Sequence, residues 1–157
     1  MADVFLPASA EELPALLERL TSAAPHTQAL DLRFEGVRAR AVRLRLPWRE
    51  DLCGGQDRIL AGGAVTALLD HCAGLSVWAD MGGYAPIATL DLRIDYLRAA
   101  DPGGDLLAEA LCYRRTRSIA FVRATAFAST PDEPVAAVQA AFALGAATSP
   151  DTAADRS

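Results

Sequence analysis

The stretch LAGGAVTALLDHCAG, residues 60–74, holds the residues best placed to do chemistry. Gly62 and Gly63 open an almost wholly apolar segment, and Asp70 and His71 interrupt its middle. A carboxylate among apolar side chains is costly unless something compensates it. Read as a helix, the segment puts Gly63 and Asp70 on nearly one face, about 700° of rotation and ~10 Å of rise apart. The first turn of a helix has free amides that can bind an oxyanion or polarise a carbonyl. Glycines there let a ligand atom approach the backbone. One helix thus carries an electrophile-binding end and a carboxylate, too far apart to serve one reacting atom. Two such helices running antiparallel about a two-fold axis would bring each Asp70 to the other chain's Gly63. An arginine partner would instead make Asp70 a structural carboxylate, and on pattern alone both readings stay open.

The other reactive side chains form no second constellation. His71 is turned about 100° from Asp70 and is expected to be a packed, neutral imidazole. His26 belongs to no pattern. Cys53, Cys72 and Cys112 are odd in number and fit no zinc or redox spacing, so no metal site and no cofactor are expected. No nucleophile elbow, P-loop or dinucleotide fingerprint is present. Thr89, early in the strand after the helix, could position a water or a carboxylate, or be an ordinary β-branched strand residue. Arg114, Arg115 and Arg117 cluster at a turn and Arg98 ends another strand. They could hold a phosphate or simply blunt a solvated edge.

The elements that must position these residues follow from periodicity. Residues 9–20 read as a short helix with a Ser9–Glu12 capping box. Residues 30–46 read as two strands, with a turn at Gly36 and a bulge near Ala41 and Val42. Residues 64–80 form the long helix, closed by Gly82 and Gly83. In the next strand Leu90, Leu92, Ile94 and Tyr96 alternate with Thr89, Asp91, Arg93 and Asp95. Strands at 106–115, 119–129 and 135–144 follow across short turns, so they are antiparallel. The expected architecture is α+β, one long apolar helix wrapped by a six-stranded antiparallel sheet, with a short N-terminal helix. The divisions are an N-terminal helical segment (1–27), the main domain (28–145) and a flexible tail (146–157).

The composition narrows the function classes. The chain has 157 residues, 52% hydrophobic and 22% charged, which suits one globular domain. A net charge of −5 argues against a general nucleic-acid binder. No signal peptide is apparent at the N-terminus, and the 64–79 apolar run is too short and too interrupted to span a membrane. A cytoplasmic protein with neither nucleic acid nor membrane as partner is expected.

With these residues in view, the sequence resembles the hotdog-fold acyl-CoA thioesterases of the phenylacetate-pathway (PaaI-like) type. The resemblance rests on AGGAVTALLD, ATLDLRIDYLRAA, YRRTRSIAFVRATAF and DEPVAAVQAAFAL and covers roughly residues 28–145. It implies a hotdog fold and a hydrolase that cleaves an acyl- or aryl-acyl-CoA to the free acid and CoA. Asp70 would be base or nucleophile, the Gly63 amide would polarise the thioester carbonyl, and Thr89 would orient water. Gly62, Tyr96, Arg98, Arg117 and Ser118 would contact substrate or CoA. The family pattern has His where this chain has Ala61, and Asn or Gln where it has Gly55, with Gln56 one place off. Those departures open the alternative of an acyl-CoA-binding or regulatory hotdog protein without turnover. A hydratase on the same fold would need a histidine near the acid. The resemblance also implies self-association as a homodimer or, as a dimer of dimers, a homotetramer.

Overall fold

The computed structural model describes residues 6–145. Sequence positions 146–157, expected as a tail, lie outside the described residues. The elements are β1 (Leu6–Pro7), α1 (Leu13–Ala23), α2 (Pro25–Ala29), β2 (Arg33–Arg38), β3 (Ala41–Leu46), α3 (Gly62–Met81), β4 (Gly83–Tyr84), β5 (Ile87–Tyr96), β6 (Leu106–Arg115), β7 (Ile119–Phe127) and β8 (Ala136–Leu144). Six antiparallel strands form one sheet in the order β2-β3-β6-β7-β8-β5, and β1 pairs with β4 in a small separate ribbon. The sheet curls around α3. This is the hotdog fold, α+β, as the strand count and the single long helix predict.

α3 is apolar nearly all round because it is enclosed nearly all round. Leu68, Leu69, Cys72, Leu75 and Val77 are buried on it, against Val42, Leu44, Leu46, Leu106, Ala108 and Val122 of the sheet. Alanines at strand positions 108, 110, 120, 124, 126, 136 and 140 keep the concave face shallow enough for a helix to lie in it. Gly82 ends the helix in the left-handed conformation at φ 69°, with its N–H bonded to the carbonyls of Ala79 and Trp78.

Two irregularities differ from the sequence expectation. The β2–β3 chain reversal is not at Gly36. It falls at Ala39 and Arg40, both at positive φ (48° and 70°), as a two-residue hairpin turn requires. The bulge lies before it, between Phe34 and Gly36, rather than near Ala41. In β5 the register slips between Thr89 and Asp91, leaving Leu90 unpaired and 58% exposed. Strict alternation puts Thr89 on the face of Asp91, Arg93 and Asp95. The bulge reverses that phase, so Thr89, opposite the buried Phe142, joins Leu92, Ile94 and Tyr96 on the helix side.

The N-terminal segment forms two short helices rather than one. The capping box is made: the Ser9 N–H donates to Glu12 Oε2 (3.0 Å) and the Glu12 N–H to Ser9 Oγ (3.2 Å). Helix α2 begins on Pro25, a residue suited to a first helical turn. The loop between β3 and α3 is pinned by Trp48. Its indole N–H donates to the Arg58 carbonyl (2.8 Å), and the Arg58 guanidinium stacks 4.7 Å from the ring centroid. No helix among the described residues is long and apolar enough to cross a membrane.

Candidate active site

Asp70 sits midway along α3, half-buried. The Thr89 hydroxyl donates to its Oδ1 at 3.0 Å. Among the described residues no arginine pairs with it, so the structural role that an ion pair would give it is unsupported. One carboxylate oxygen is thus oriented by a neutral donor and the other is open to a water or a reacting carbon. Its neighbour His71 points elsewhere. Burial pushes the His71 imidazole below the usual value, the adjacent Asp70 charge offsets part of this, and His26 lowers it further. Its Nε2 is enclosed without a partner, which fits a neutral packed ring.

The start of α3 is built to leave backbone amides available. Ala61 is the N-cap residue and offers no capping side chain, and the first turn has no acid. The first amides bonded back to the Ala61 carbonyl are those of Ala64 (3.0 Å) and Val65 (3.2 Å), so Gly62 and Gly63 precede the hydrogen-bonded run. Both glycines are exposed. A Cβ on Gly63 would meet nothing within 4 Å, whereas one on Gly62 would lie 3.2 Å from the Tyr96 hydroxyl oxygen. That hydroxyl donates to the Gly62 carbonyl at 2.8 Å and lies 3.1 Å from Thr66 Oγ1, which bonds the same carbonyl at 2.9 Å. Tyr96 and Thr66 brace the helix start and leave Gly63 as its accessible amide. Thr66, one turn after Gly62, was not singled out by sequence. The signal was a hydroxyl at i+4, which can bond back to the carbonyl.

The remaining expected contacts do not gather around one centre. β5 runs back along α3, so Thr89 lies beside Asp70 and Tyr96 beside Gly62. The Arg98 guanidinium is engaged by the carbonyls of Ala99 (3.0 Å) and Glu133 (3.3 Å) and by Asp101 (3.5 Å). Arg117 and Ser118 are exposed in the β6–β7 turn. The Ser118 carbonyl accepts from the Leu144 N–H, and Leu144 pairs with Ile87 at the far end of β5. That level is about 30 Å of strand away from Tyr96. Within one chain, then, Tyr96 and Arg98 stand at the Gly63 end of the helix, and Arg117 and Ser118 at the other. Gln56, beside Gly55, is exposed in the loop. Among the described residues no three His, Cys, Asp or Glu side chains converge as metal ligands.

The Thioesterase superfamily profile matches residues 58–135, which run from the end of the loop through α3 to the start of the last strand. A Pseudomonas aeruginosa protein of known structure is 36% identical, over 83% of this chain and 98% of that one, with a TM-score of 0.77. The chain belongs to the thioesterase superfamily. A thioesterase family protein from Silicibacter pomeroyi (24% identical, TM-score 0.72, 83% and 97% covered) shares the fold. So does the phenylacetic acid degradation protein PaaI from Thermus thermophilus (22%, 0.65, 76% and 98%). No curated protein matches the sequence. Superfamily membership supports a thioesterase-like activity in the broad sense, and the matched span contains Gly62, Gly63, Asp70, Thr89, Tyr96, Arg98, Arg117 and Ser118.

Proposed function

We propose that the protein is an acyl-CoA thioesterase of the PaaI-like type, acting in the cytoplasm on an acyl- or aryl-acyl-CoA. The observation that carries this is Asp70: a half-buried carboxylate, oriented by the Thr89 hydroxyl and paired with no cation among the described residues, on a helix whose first turn offers the Gly63 amide. In the reaction the thioester oxygen is held by the Gly63 N–H, which stabilises the negative charge that develops on it. Asp70 takes a proton from water as the water oxygen bonds to the carbonyl carbon; the carbon–sulfur bond then breaks to give the acid and the CoA thiol. Asp70 attacking directly, followed by hydrolysis of the anhydride, uses the same groups. Thr89 holds Oδ1 so that Oδ2 faces the reactant.

Gly63 and Asp70 are about 10 Å apart along one helix, so the site needs two chains. The edge strand β5 supports this. It is the last strand on its side of the sheet, ten residues long, and Leu90, Tyr96 and the following Leu97 are 58%, 53% and 57% exposed. A long edge strand with exposed apolar side chains beside its charged Asp91, Arg93 and Asp95 offers unpaired backbone groups for a second strand. Pairing with a second β5 about a two-fold axis sets the two α3 helices antiparallel and brings each Gly63 towards the partner's Asp70. It also brings Tyr96 and Arg98 of one chain to the same end as Arg117 and Ser118 of the other, where a CoA would lie. The protein is then at least a homodimer, and a homotetramer as a dimer of dimers.

Ala61 favours one other reading, an acyl-CoA-binding protein that does not turn over. The N-cap residue itself carries no imidazole to help position the thioester, although His26 of α2 lines the same pocket as Ala61 and Gly63. Thiol release from an acyl-CoA panel by wild type and Asp70→Asn separates the two. Release that is lost in Asp70→Asn supports the enzyme. Tight CoA binding with no release from any thioester supports the binder.

A further inference from the structure

Gly63 has a polar neighbour outside its own helix. Beside it the surface folds into a cleft between α3 and the N-terminal segment, which His26 of α2 lines together with Ala61, Gly63, Ala64 and Ala67. Taking Gly63 as the origin of rotation on the helix, Ala67 and Ala64 lie at about +40° and +100°, and His71 follows at about +80° one turn after Ala67. The charge of His26 acts on the buried His71 ring, which independently sets the His26 side chain over this flank of α3. Gly62 and Thr66, the two positions braced by Tyr96, lie at about −100° and −60°. Tyr96 and His26 therefore flank Gly63 on opposite sides.

The backbone beneath His26 is fixed. Pro25 opens α2, the Thr27 hydroxyl donates to the Ala24 carbonyl at 2.9 Å, and the Leu30 N–H donates to the His26 carbonyl at 3.1 Å. The Arg49 guanidinium donates to the Ala29 carbonyl at 2.8 Å and ties α2 to the loop ahead of α3. The His26 ring is exposed, and among the described residues it makes no hydrogen bond or ion pair. The other polar side chains of the cleft are engaged. Asp51 is held by Arg49 through both oxygens (3.0 and 2.7 Å), and the Cys53 thiol donates to the Arg49 carbonyl at 3.5 Å. A pinned backbone thus carries an imidazole whose donor is unengaged, next to an amide in the same condition.

An oxyanion is held best by more than one preorganised donor. On the other flank of Gly63 the Tyr96 hydroxyl is committed to the Gly62 carbonyl at 2.8 Å. Resting on the thioesterase reading above, we propose that His26 is a catalytic residue: its imidazole N–H is the second donor to the thioester oxygen held by the Gly63 amide of the same chain. The attacking water comes from the other side, on the partner's Asp70. A neutral imidazole has one N–H and a charged one has two, so a donor is present in either state. The ring keeps its proton throughout, and the proton of the water still goes to Asp70.

The test is the kcat and KM of thioester hydrolysis for wild type, His26→Ala, His26→Asn and His26→Gln. The two amide variants place an N–H near one or the other ring-nitrogen position. His26→Ala should lose about 10²-fold in kcat, the lower end for removing one oxyanion donor, with KM within ~3-fold. One of the amide variants should recover at least ~10-fold of that loss, which a merely structural role would not allow. The Tm of all three should stay within ~2 °C of wild type, because the ring replaced is exposed. A kcat for His26→Ala within ~2-fold of wild type, or equal losses in all three variants, overturns the assignment. If wild type cleaves no thioester, the thioesterase reading fails by itself. The donor is then read by calorimetry from two CoA analogues, a ketone with one methylene between carbonyl and sulfur, and the alkyl thioether that lacks the oxygen. His26→Ala weakening the ketone at least ~5-fold more than the thioether supports the donor. Equal weakening of both, or of neither, overturns it.

Discussion

Helix α3 carries two aspartates ten residues apart, and the fold treats them in opposite ways. Asp80, in the last turn, is held by two arginines, Arg40 of the β2–β3 turn at 2.9 Å and Arg115 at the end of β6 at 2.8 Å. An acid near a helix C-terminus is unfavourable against the helix dipole, and the two guanidinium groups answer that. Asp70, in the middle of the same helix, has a single hydroxyl partner. The chain has arginines in plenty, so cations were available to the sheet around α3, yet among the described residues none is placed against Asp70. A neutralised carboxylate has both oxygens engaged and its charge balanced. Asp70 keeps one oxygen and its charge for something outside the chain. The difference separates a carboxylate that holds the fold from one kept for reaction.

That contrast is broken most directly by exchanging each acid for its amide. Asp70→Asn should lose about 10²–10⁴-fold in kcat, the range for removing a general base. Its stability should move by no more than about 0.5 kcal/mol. Asp80→Asn should do the reverse: kcat within about twofold of wild type and a stability loss of about 0.5–1 kcal/mol, modest because Arg40 is largely exposed. Thiol release and denaturant melts on the same two proteins decide it. Equal loss of activity in both would show that the helix merely needs its charges.

A smaller effect is expected at Thr89. Thr89→Val keeps the shape of the side chain but removes the donor to Asp70 Oδ1. The expected loss is about 10-fold in kcat, a hydrogen bond to a charged group being worth about 1.5–3 kcal/mol at most. KM should stay within about twofold. A kcat unchanged by Thr89→Val would mean that Asp70 is oriented by the partner chain instead.

The smallest effect sharpens the contrast between Asp70 and its neighbour. His71 is held neutral by burial, so the unfolded chain takes up a proton near pH 6.5 while the folded chain does so only at lower pH. Stability from this residue is complete above about pH 6.5 and falls as pH drops from there towards the lowered folded value. His71→Leu should therefore flatten the decline of Tm between pH 7.5 and pH 5 and leave hydrolysis at pH 7.5 within a few-fold. A pH profile of Tm identical to wild type would show that the imidazole is not the group responsible.

The parts of this account legible in the sequence are those set by regular periods. Residues 64–80 read as a helix, and Gly63 and Asp70 fell on one face, because 3.6-residue geometry leaves no choice once the helix is granted. The capping box at Ser9 and Glu12 and the turn at Gly82 were legible for the same reason, as local chemistry that needs no distant partner. Thr89 was not. Its alternation placed it with Asp91 and Arg93, and only the bulge at Leu90 turns it to the helix. No Gly or Pro marks that bulge, so its position depends on how β8 pairs with β5. His26 carried no pattern, because its place in the pocket it lines with Ala61 and Gly63 depends on α2 folding back against the loop. The long-range pairs that fix Asp80 link it to Arg40 and Arg115, far away in the chain, and spacing does not reveal them.

The central claim is that Asp70 and Gly63 act from different chains. It is tested by mixing two inactive variants, Asp70→Asn and Gly63→Pro. Proline suits the first turn of a helix, so the second variant removes the amide while keeping the helix start. Each alone should be inactive. After the two are unfolded together, refolded as an equimolar mixture and assayed, half the dimers are hybrids, and one of the two sites in each hybrid has both native residues. The expected recovery is about a quarter of wild-type activity, as two-fold symmetry dictates. A mixture as inactive as its components, with hybrids present by mass spectrometry, would contradict the shared site.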